Sequence, residues 1–244
     1  MARRPLLVLG TGLVLASVLA ASACDPPTTL STNADAAPAP AAAAPGASAV
    51  TAELNALPVR AHSSLTGYSR EAFGPAWSDE GSVELAHNHC PTRQDILSRD
   101  LTDVVRAPDG CTIISGVLND RYTGETIAFQ RGPTTSLAVQ IDHLVPLGLA
   151  WQSGARDLTA AQRLNFANDP SNLAATSGRA NASKGAKDAS QWLPPRSNAH
   201  CWYASAQVRV KTKYRLSVSP AEKKALGQAL ASCPASGTGT KGAR

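Results

Sequence analysis

Apolar residues recur at helical spacing from Thr92 onward. Ile96, Leu97, Leu101, Val104 and Val105 stand among polar residues and predict an amphipathic helix over residues 93–105, ended by Pro108-Asp109-Gly110. The period then shortens. Runs rich in β-branched residues at 111–118 and 126–130 predict two strands, joined by N-D-R-Y-T-G-E with Gly124 as the turn residue, and 139–141 predicts a third. Two short helices are expected in L-G-L-A-W-Q-S-G and in L-T-A-A-Q-R-L-N-F-A-N-D-P, the second with Thr159 as its N-cap. Residues 172–175 read as a further strand, and Ser177 to about Lys184 as the start of a helix. After W-L-P-P, residues 201–214 are helical in pattern, and S-P-A-E at Ser219 opens a last helix running to Cys233. Before all of these, residues 65–77 hold Tyr68, Phe73 and Trp77 among Gly and Pro, an irregular lead-in whose aromatics belong in a core.

The two ends of the chain carry a different pattern. Arg3 and Arg4 precede an apolar run at 6–19, and Ala21-Ser22-Ala23 precede Cys24, the charged, apolar and small-residue order of a secretory signal ending at residue 23. Cleavage there leaves Cys24 first, either lipidated on the outer face of the membrane or in a released extracellular protein. An uncleaved anchor would need a longer run, about 20 residues. Residues 24–60 carry an Ala/Pro-rich tract and are expected to be a disordered linker. Residues 61–233 are the size of one domain, and 234–244, rich in Gly, Ser, Thr and Lys, read as a disordered tail.

Without Cys24 the cysteines are Cys90, Cys111, Cys201 and Cys233, an even number that suits an oxidising compartment. Three pairings are open. Chain order favours Cys90 with Cys111 and Cys201 with Cys233, each pair flanking one local unit and contributing about 3 kcal/mol in the chain-entropy model. The formal charge is +5, or about +3 once Arg3 and Arg4 leave, too little by itself to indicate a nucleic-acid partner. Its distribution says more: Lys184, Lys187, Arg196, Arg209, Lys211, Lys213, Arg215, Lys223 and Lys224 crowd the end of the domain, as phosphate contacts or as a solvated helix face.

The candidate chemistry lies between Val139 and Lys184. Asp142 and His143 stand side by side at the end of an apolar strand. A carboxylate there can hold a divalent cation, while an imidazole, with an ordinary pKa of about 6.5, takes a proton from water near neutrality. Asn172 and Asn181 add side-chain oxygens. Singly, none of these is specific, since Asp-His pairs are common, Asn172 in D-P-S-N-L suits a turn and Asn181 suits a helix cap. Their ordered occurrence is the signal.

Residue for residue, Asp142-His143, Asn172 and Asn181 resemble an HNH nuclease motif in its His-Asn-Asn form, the ββα-metal finger. The step of nine residues from Asn172 to Asn181, with Lys184 three further on, also resembles the HNH domain of the RNA-guided nucleases. C-P-T-R-Q-D-I-L-S-R-D-L, G-C-T-I-I-S-G-V-L-N-D-R-Y-T-G, V-Q-I-D-H-L-V-P-L, F-A-N-D-P-S-N-L, N-A-S-K-G-A-K-D and W-L-P-P extend the similarity to secreted actinobacterial HNH proteins. The nuclease region of those proteins is related to the C-terminal domain of the GmrSD restriction enzymes. The resemblance implies an α+β fold, a ββα-metal finger embedded in a mainly helical single domain with a small antiparallel sheet. It implies His143 as general base with Asn172 buttressing it as the second catalytic residue. Asp142 and Asn181 would hold one Mg²⁺ or Mn²⁺ per site, and Lys184, Lys187 and Arg131 would face the substrate. Asn181 in place of His favours a hard cation over a softer metal. The modified-base recognition half of the restriction enzymes has no counterpart, so restriction specificity is not implied.

His87-Asn88-His89 is not the motif, because three consecutive residues cannot supply two strands and a helix. With Cys90 and Cys111, His87 and His89 could instead form a zinc site, although a disulfide competes for both sulfurs. The function expected is an exported, metal-dependent endonuclease that cuts DNA, and RNA as an alternative, with little sequence preference and no protein partner. The competing expectations are a catalytically faded module that binds nucleic acid or anionic wall polymer, and a hydrolase of another phosphodiester such as teichoic acid.

Overall fold

The computed structural model describes residues 47–234; the signal, Cys24, the linker up to residue 46 and the tail from 235 lie outside the described residues. Helix α1 (Ala47–Ala56) leads into an irregular segment with a 3-10 turn at Glu71–Phe73. Helix α2 (Thr92–Asp100) runs directly into β1 (Leu101–Arg106), which pairs antiparallel with β2 (Ile113–Asn119), itself paired with β3 (Thr126–Gln130). A second antiparallel unit is a two-stranded ribbon of β4 (Val139–His143) and β5 (Leu173–Ser177), with α3 (Leu147–Gln152) and α4 (Ala160–Asn168) between its strands. Helix α5 (Gly178–Lys184) leaves β5 at once, and α6 (His200–Lys213) and α7 (Pro220–Ala231) complete an α+β architecture. Among the described residues, no helix is long and apolar enough to cross a membrane.

Two expectations give way. The helix predicted over 93–105 ends at Asp100, because the buried stripe stops at Leu101 and Val105 is 53% exposed. Thr102, Val104 and Val105 are β-branched, and the segment instead pairs with β2, from Leu101 opposite Leu118 to Arg106 opposite Ile113. The second correction concerns residues 47–60, expected to be linker. Val50, Leu54 and Leu57 repeat at helical spacing and are buried in one cluster with Ala204 and Val208 of α6 and Leu226 and Leu230 of α7. The segment after α1 then joins the domain through a parallel bridge between Val59 and Val218. An Ala-rich stretch has high helix propensity, and three aliphatic residues on one stripe supply what propensity alone does not.

The remaining elements follow local signals. Thr159 and Ser219 both close capping boxes, with Gln162 and Glu222 reaching back, and Pro220 stands inside the first turn of α7. Gly124 turns β2 into β3 with φ +79. Helix α2 holds the two sheets together, since Ile96 and Leu97 pack with Ile113, Leu118 and Phe129 on one side and with Val139, Ile141, Leu173 and Ala175 of the ribbon on the other. At the β5–α5 junction a Cβ on Gly178 would lie 2.1 Å from the Leu137 carbonyl oxygen, so only glycine lets the helix start so close to the 3-10 turn that precedes β4. Disulfides join Cys90 to Cys111 and Cys201 to Cys233; the second ties the start of α6 to the end of α7. With both sulfurs bonded, Cys90 and Cys111 offer no thiolate to the zinc site considered with His87 and His89.

If α1 belongs to the core, Leu54→Ala lowers the unfolding free energy by about 2–5 kcal/mol. Urea denaturation checks it, and an unchanged midpoint would return residues 47–60 to a linker.

Candidate active site

Strand β4 carries the Asp-His pair. Its inner register places Asp142 opposite Ala174 and His143 opposite Leu173, while its other edge is free of strand pairing. Gln140, Ile141, Asp142 and His143 line a cavity of about 640 Å³ there, together with Asn181 in the middle of α5. The same cavity is lined by Arg70, Trp77 and Arg93. Asp142, His143 and Asn181 therefore share one space.

His143 is fixed by a hydrogen bond of 2.8 Å between its Nε2 and the carbonyl oxygen of Ala167. A carbonyl can only accept, so Nε2 carries the hydrogen and Nδ1 keeps the lone pair. Trp77 stacks on the ring at 5.9 Å with planes 13° apart, covering one face from water. Burial lowers the imidazole pKa to about 4; the Ala167 bond opposes this shift, and the charges of Arg70 and Lys184 add to it. At neutral pH the ring is a neutral base in a fixed tautomer.

Asn172 holds the frame behind the ring. Fully buried, it accepts from the Val145 amide at 2.9 Å and donates to the carbonyls of Phe166 at 3.3 Å and Val145 at 3.4 Å. Its own carbonyl takes the Leu144 amide at 2.8 Å. The side chain thus ties the turn after β4 to the end of α4, one residue from the carbonyl that fixes His143. All three of these side-chain bonds go to backbone groups.

Asp142 is buried and doubly engaged. The Tyr122 hydroxyl donates to Oδ2 at 2.6 Å and the Lys184 ammonium to Oδ1 at 3.0 Å; Lys184 also donates to the His143 carbonyl at 2.7 Å. Burial pushes the carboxyl pKa up and the ammonium pKa down, and their mutual attraction pulls each back. Tyr122 is wholly buried among Trp192, Trp202 and Tyr203, and desolvation followed by the Asp142 charge raises its pKa, so it donates rather than ionises.

The donor set suits a hard cation. A carboxylate offers about four lone-pair directions, so Asp142 retains acceptor capacity after its two hydrogen bonds. Asn181 donates its amide nitrogen to Gln140 Oε1 at 2.9 Å, which leaves its oxygen available. These would be two of the hard oxygen ligands of Mg²⁺ or Mn²⁺, with water from the cavity supplying others. The opposing feature is Lys184, which already neutralises Asp142 from within the fold. A cluster of His62, Asp188 and Glu222 also brings three donor atoms within 4.8 Å of one another. There, however, the Lys211 ammonium lies 2.8 Å from Glu222, and none of the three lines the His143 cavity.

Three of the residues expected at substrate lie elsewhere. Lys184 has no exposed side-chain surface and serves Asp142 from inside. Lys187 is exposed with its ammonium on the Ser183 carbonyl, and Arg131 is exposed beyond β3; neither lines the cavity. The C-terminal basic cluster likewise divides. Lys211 is buried on Glu222, Lys213 pairs with Asp169 at 2.6 Å, and Lys223 donates to the Asn55 carbonyl. Sequence reasoning missed Arg70, Trp77, Arg93, Tyr122 and Gln140. Tyr122 sits in what reads as an ordinary turn, and Arg93 in what reads as the polar face of a helix, so no local signal marked either.

The family of GmrSD restriction endonucleases, C-terminal domain, matches residues 91–229, more than half of the chain, and the chain belongs to that family. A protein of Arthroderma benhamiae named "Uncharacterized secreted protein" is 39% identical over 191 residues, covering 78% of this chain and 87% of that protein. No solved structure matches.

The buried imidazole makes stability depend on pH. Folded protein keeps His143 neutral down to about pH 4, whereas the unfolded chain protonates it near 6.5. Between those values the unfolded state binds more protons, so stability falls as pH falls. In EDTA, His143 is expected to remove about 2–3 kcal/mol between about pH 7 and about pH 4.5, and His143→Leu to lack that component. Identical pH profiles in urea denaturation would contradict the buried neutral ring.

Proposed function

We propose that the protein is an exported, metal-dependent endonuclease that hydrolyses phosphodiester bonds in DNA, and in RNA where a strand is accessible, with little sequence preference. Membership of a restriction-endonuclease domain family supports a nuclease. The observation that carries the reading further is the His143 Nε2 bond to the Ala167 carbonyl, which leaves Nδ1 as the ring's proton acceptor, in a residue lining the same cavity as Asp142 and Asn181. Export is supported by two disulfides and by the secreted relative's name. The signal at residues 1–23 would deliver the chain, with lipid on Cys24 as the anchor if that residue is modified.

In this mechanism His143 accepts a proton from water through Nδ1 as the water oxygen bonds to phosphorus and the bond to the 3′ oxygen breaks. The departing oxygen takes its proton from solvent. Asn172 keeps the Ala167 carbonyl and the turn after β4 in place, which holds the ring in one tautomer. Trp77 shields the ring face, and Arg70 and Arg93 give the cavity the positive potential that a phosphate diester needs on approach. Asp142 and Asn181 would hold a divalent cation, which when bound would neutralise charge on the phosphate and on the leaving oxygen. Tyr122 and Lys184 fix the carboxylate, so little reorganisation is required of it.

Lys184 favours a second reading: an ammonium on the metal-facing carboxylate is what a module that binds without cutting would also carry. A cleavage assay separates the two. The mature chain is expected to degrade plasmid with Mg²⁺ or Mn²⁺, EDTA to stop it, and His143→Ala to lose at least about a hundredfold in rate, as removal of a general base does. Full activity in His143→Ala would reject the base assignment; salt-sensitive binding without cleavage in the parent would favour the binding module. Cleavage of teichoic acid in place of DNA would move the substrate to wall polymer.

A further inference from the structure

Behind the ribbon, on the side where Leu144 and Ala174 rather than His143 supply the wall, Trp202 stands between two cavities. One, of about 420 Å³, is lined by Arg99, Asn119, Arg121, Ala206 and Arg209 among others; the second, of about 300 Å³, is lined by Arg121, Arg196, Asn198, Ala199 and Trp202 alone. The residues of α6 that face the first cavity, Trp202, Ala206 and Arg209, follow helical spacing along one stripe. The Arg121 guanidinium lies 4.9 Å from the centre of the Trp202 ring. Arg121 and Trp202 are thus the wall common to both spaces.

The charge there is one-sided. No carboxylate lines the second cavity, while two exposed guanidinium groups, Arg121 and Arg196, do. Among the described residues neither side chain forms a salt bridge. In the first cavity the only acid, Asp100, is already engaged by Arg99 at 2.7 Å and by the Ala175 amide at 2.7 Å. Arg121 and Arg196, two like charges lining one cavity with no carboxylate in its wall, would be stabilised by a bound anion. A planar guanidinium over an indole adds a stacking surface, because Arg stacks on aromatic faces and on bases alike.

We infer that the Arg121–Trp202 wall, with Arg196, is a second nucleic-acid subsite that binds a single-stranded segment, its phosphates on the two arginines and a base stacked on Arg121. The inference rests on the nuclease reading for its choice of ligand. Single-stranded nucleic acid combines the two features present, a polyanionic backbone and π-faces that stack on aromatic and guanidinium planes. The subsite is distinct from the His143 cavity, sharing none of its lining residues. It would retain a strand while the catalytic cavity acts on another part of it.

The test is fluorescence anisotropy of a labelled oligothymidylate of about 12 nucleotides, with the full His143→Ala chain in EDTA so that nothing is cut. Adding Arg121→Glu and Arg196→Glu, both at exposed positions, is expected to weaken binding at least about tenfold and to flatten the salt dependence by about 1.4 in the log–log slope. Arg121→Lys keeps the charge and is expected to abolish the preference for oligothymidylate over an abasic strand of equal length. Affinity unchanged by the double reversal overturns the subsite, and equal affinity of the parent for the two strands overturns base stacking. Thermal melts confirm folding of each variant. Loss of the nuclease reading would show separately, as absence of plasmid cleavage by the parent with oligothymidylate binding intact.

Discussion

Taking a carboxylate out of water is expensive unless its lone pairs are satisfied and its charge is balanced, and Asp142 meets both conditions through Tyr122 and Lys184. Those partners come from the turn after β2 and the last residue of α5, so one buried charge ties the three-stranded sheet, the ribbon and the helix that follows it. Losing either partner of such a pair typically costs about 3–5 kcal/mol, because the other charge stays buried. The same side chain lines the cavity beside His143. Under the proposed mechanism, folding and chemistry would draw on one carboxylate, whose position is already fixed by its buried partners.

The frame around His143 is built from backbone groups in a comparable way. Asn172 receives the Val145 amide and donates to the Phe166 carbonyl, so the loop containing α3 and α4 returns to the ribbon in one register. The next carbonyl, Ala167, selects the imidazole tautomer. An insertion between the two strands of the ribbon is tolerated because its ends are pinned there, while its helices bury Leu147, Leu149 and Phe166 against Phe73, Val210 and Tyr214.

Much of this was legible in the chain. The ribbon, the helices between its strands and the N-caps at Thr159 and Ser219 follow from local period and cap residues, and motif order names Asp142, His143 and Asn181, which line one cavity. What was not legible depends on partners distant in sequence. β1 reads as helix until β2 offers it a ladder, and α1 reads as linker until α6 and α7 offer it an apolar groove. Lys184 reads as a phosphate contact, yet its ammonium is buried because Asp142, 42 residues earlier, requires it. The arginines of the cavity, Arg70 and Arg93, carry no pattern of their own. Charge counted along the chain could not separate Lys211 and Lys213, which are consumed by Glu222 and Asp169, from Arg121 and Arg196, which face solvent.

Asp142 and Asn181, which line one cavity with His143, are proposed to form a cation site there. Calorimetric titration of the metal-free chain with Mn²⁺ tests it most directly. The account predicts one ion per chain, with affinity weakened at least about tenfold in Asp142→Ala and in Asn181→Ala but unchanged in His62→Ala. Unaltered binding in the first two variants, or loss in His62→Ala, would contradict it and move the ion to the cluster of His62, Asp188 and Glu222.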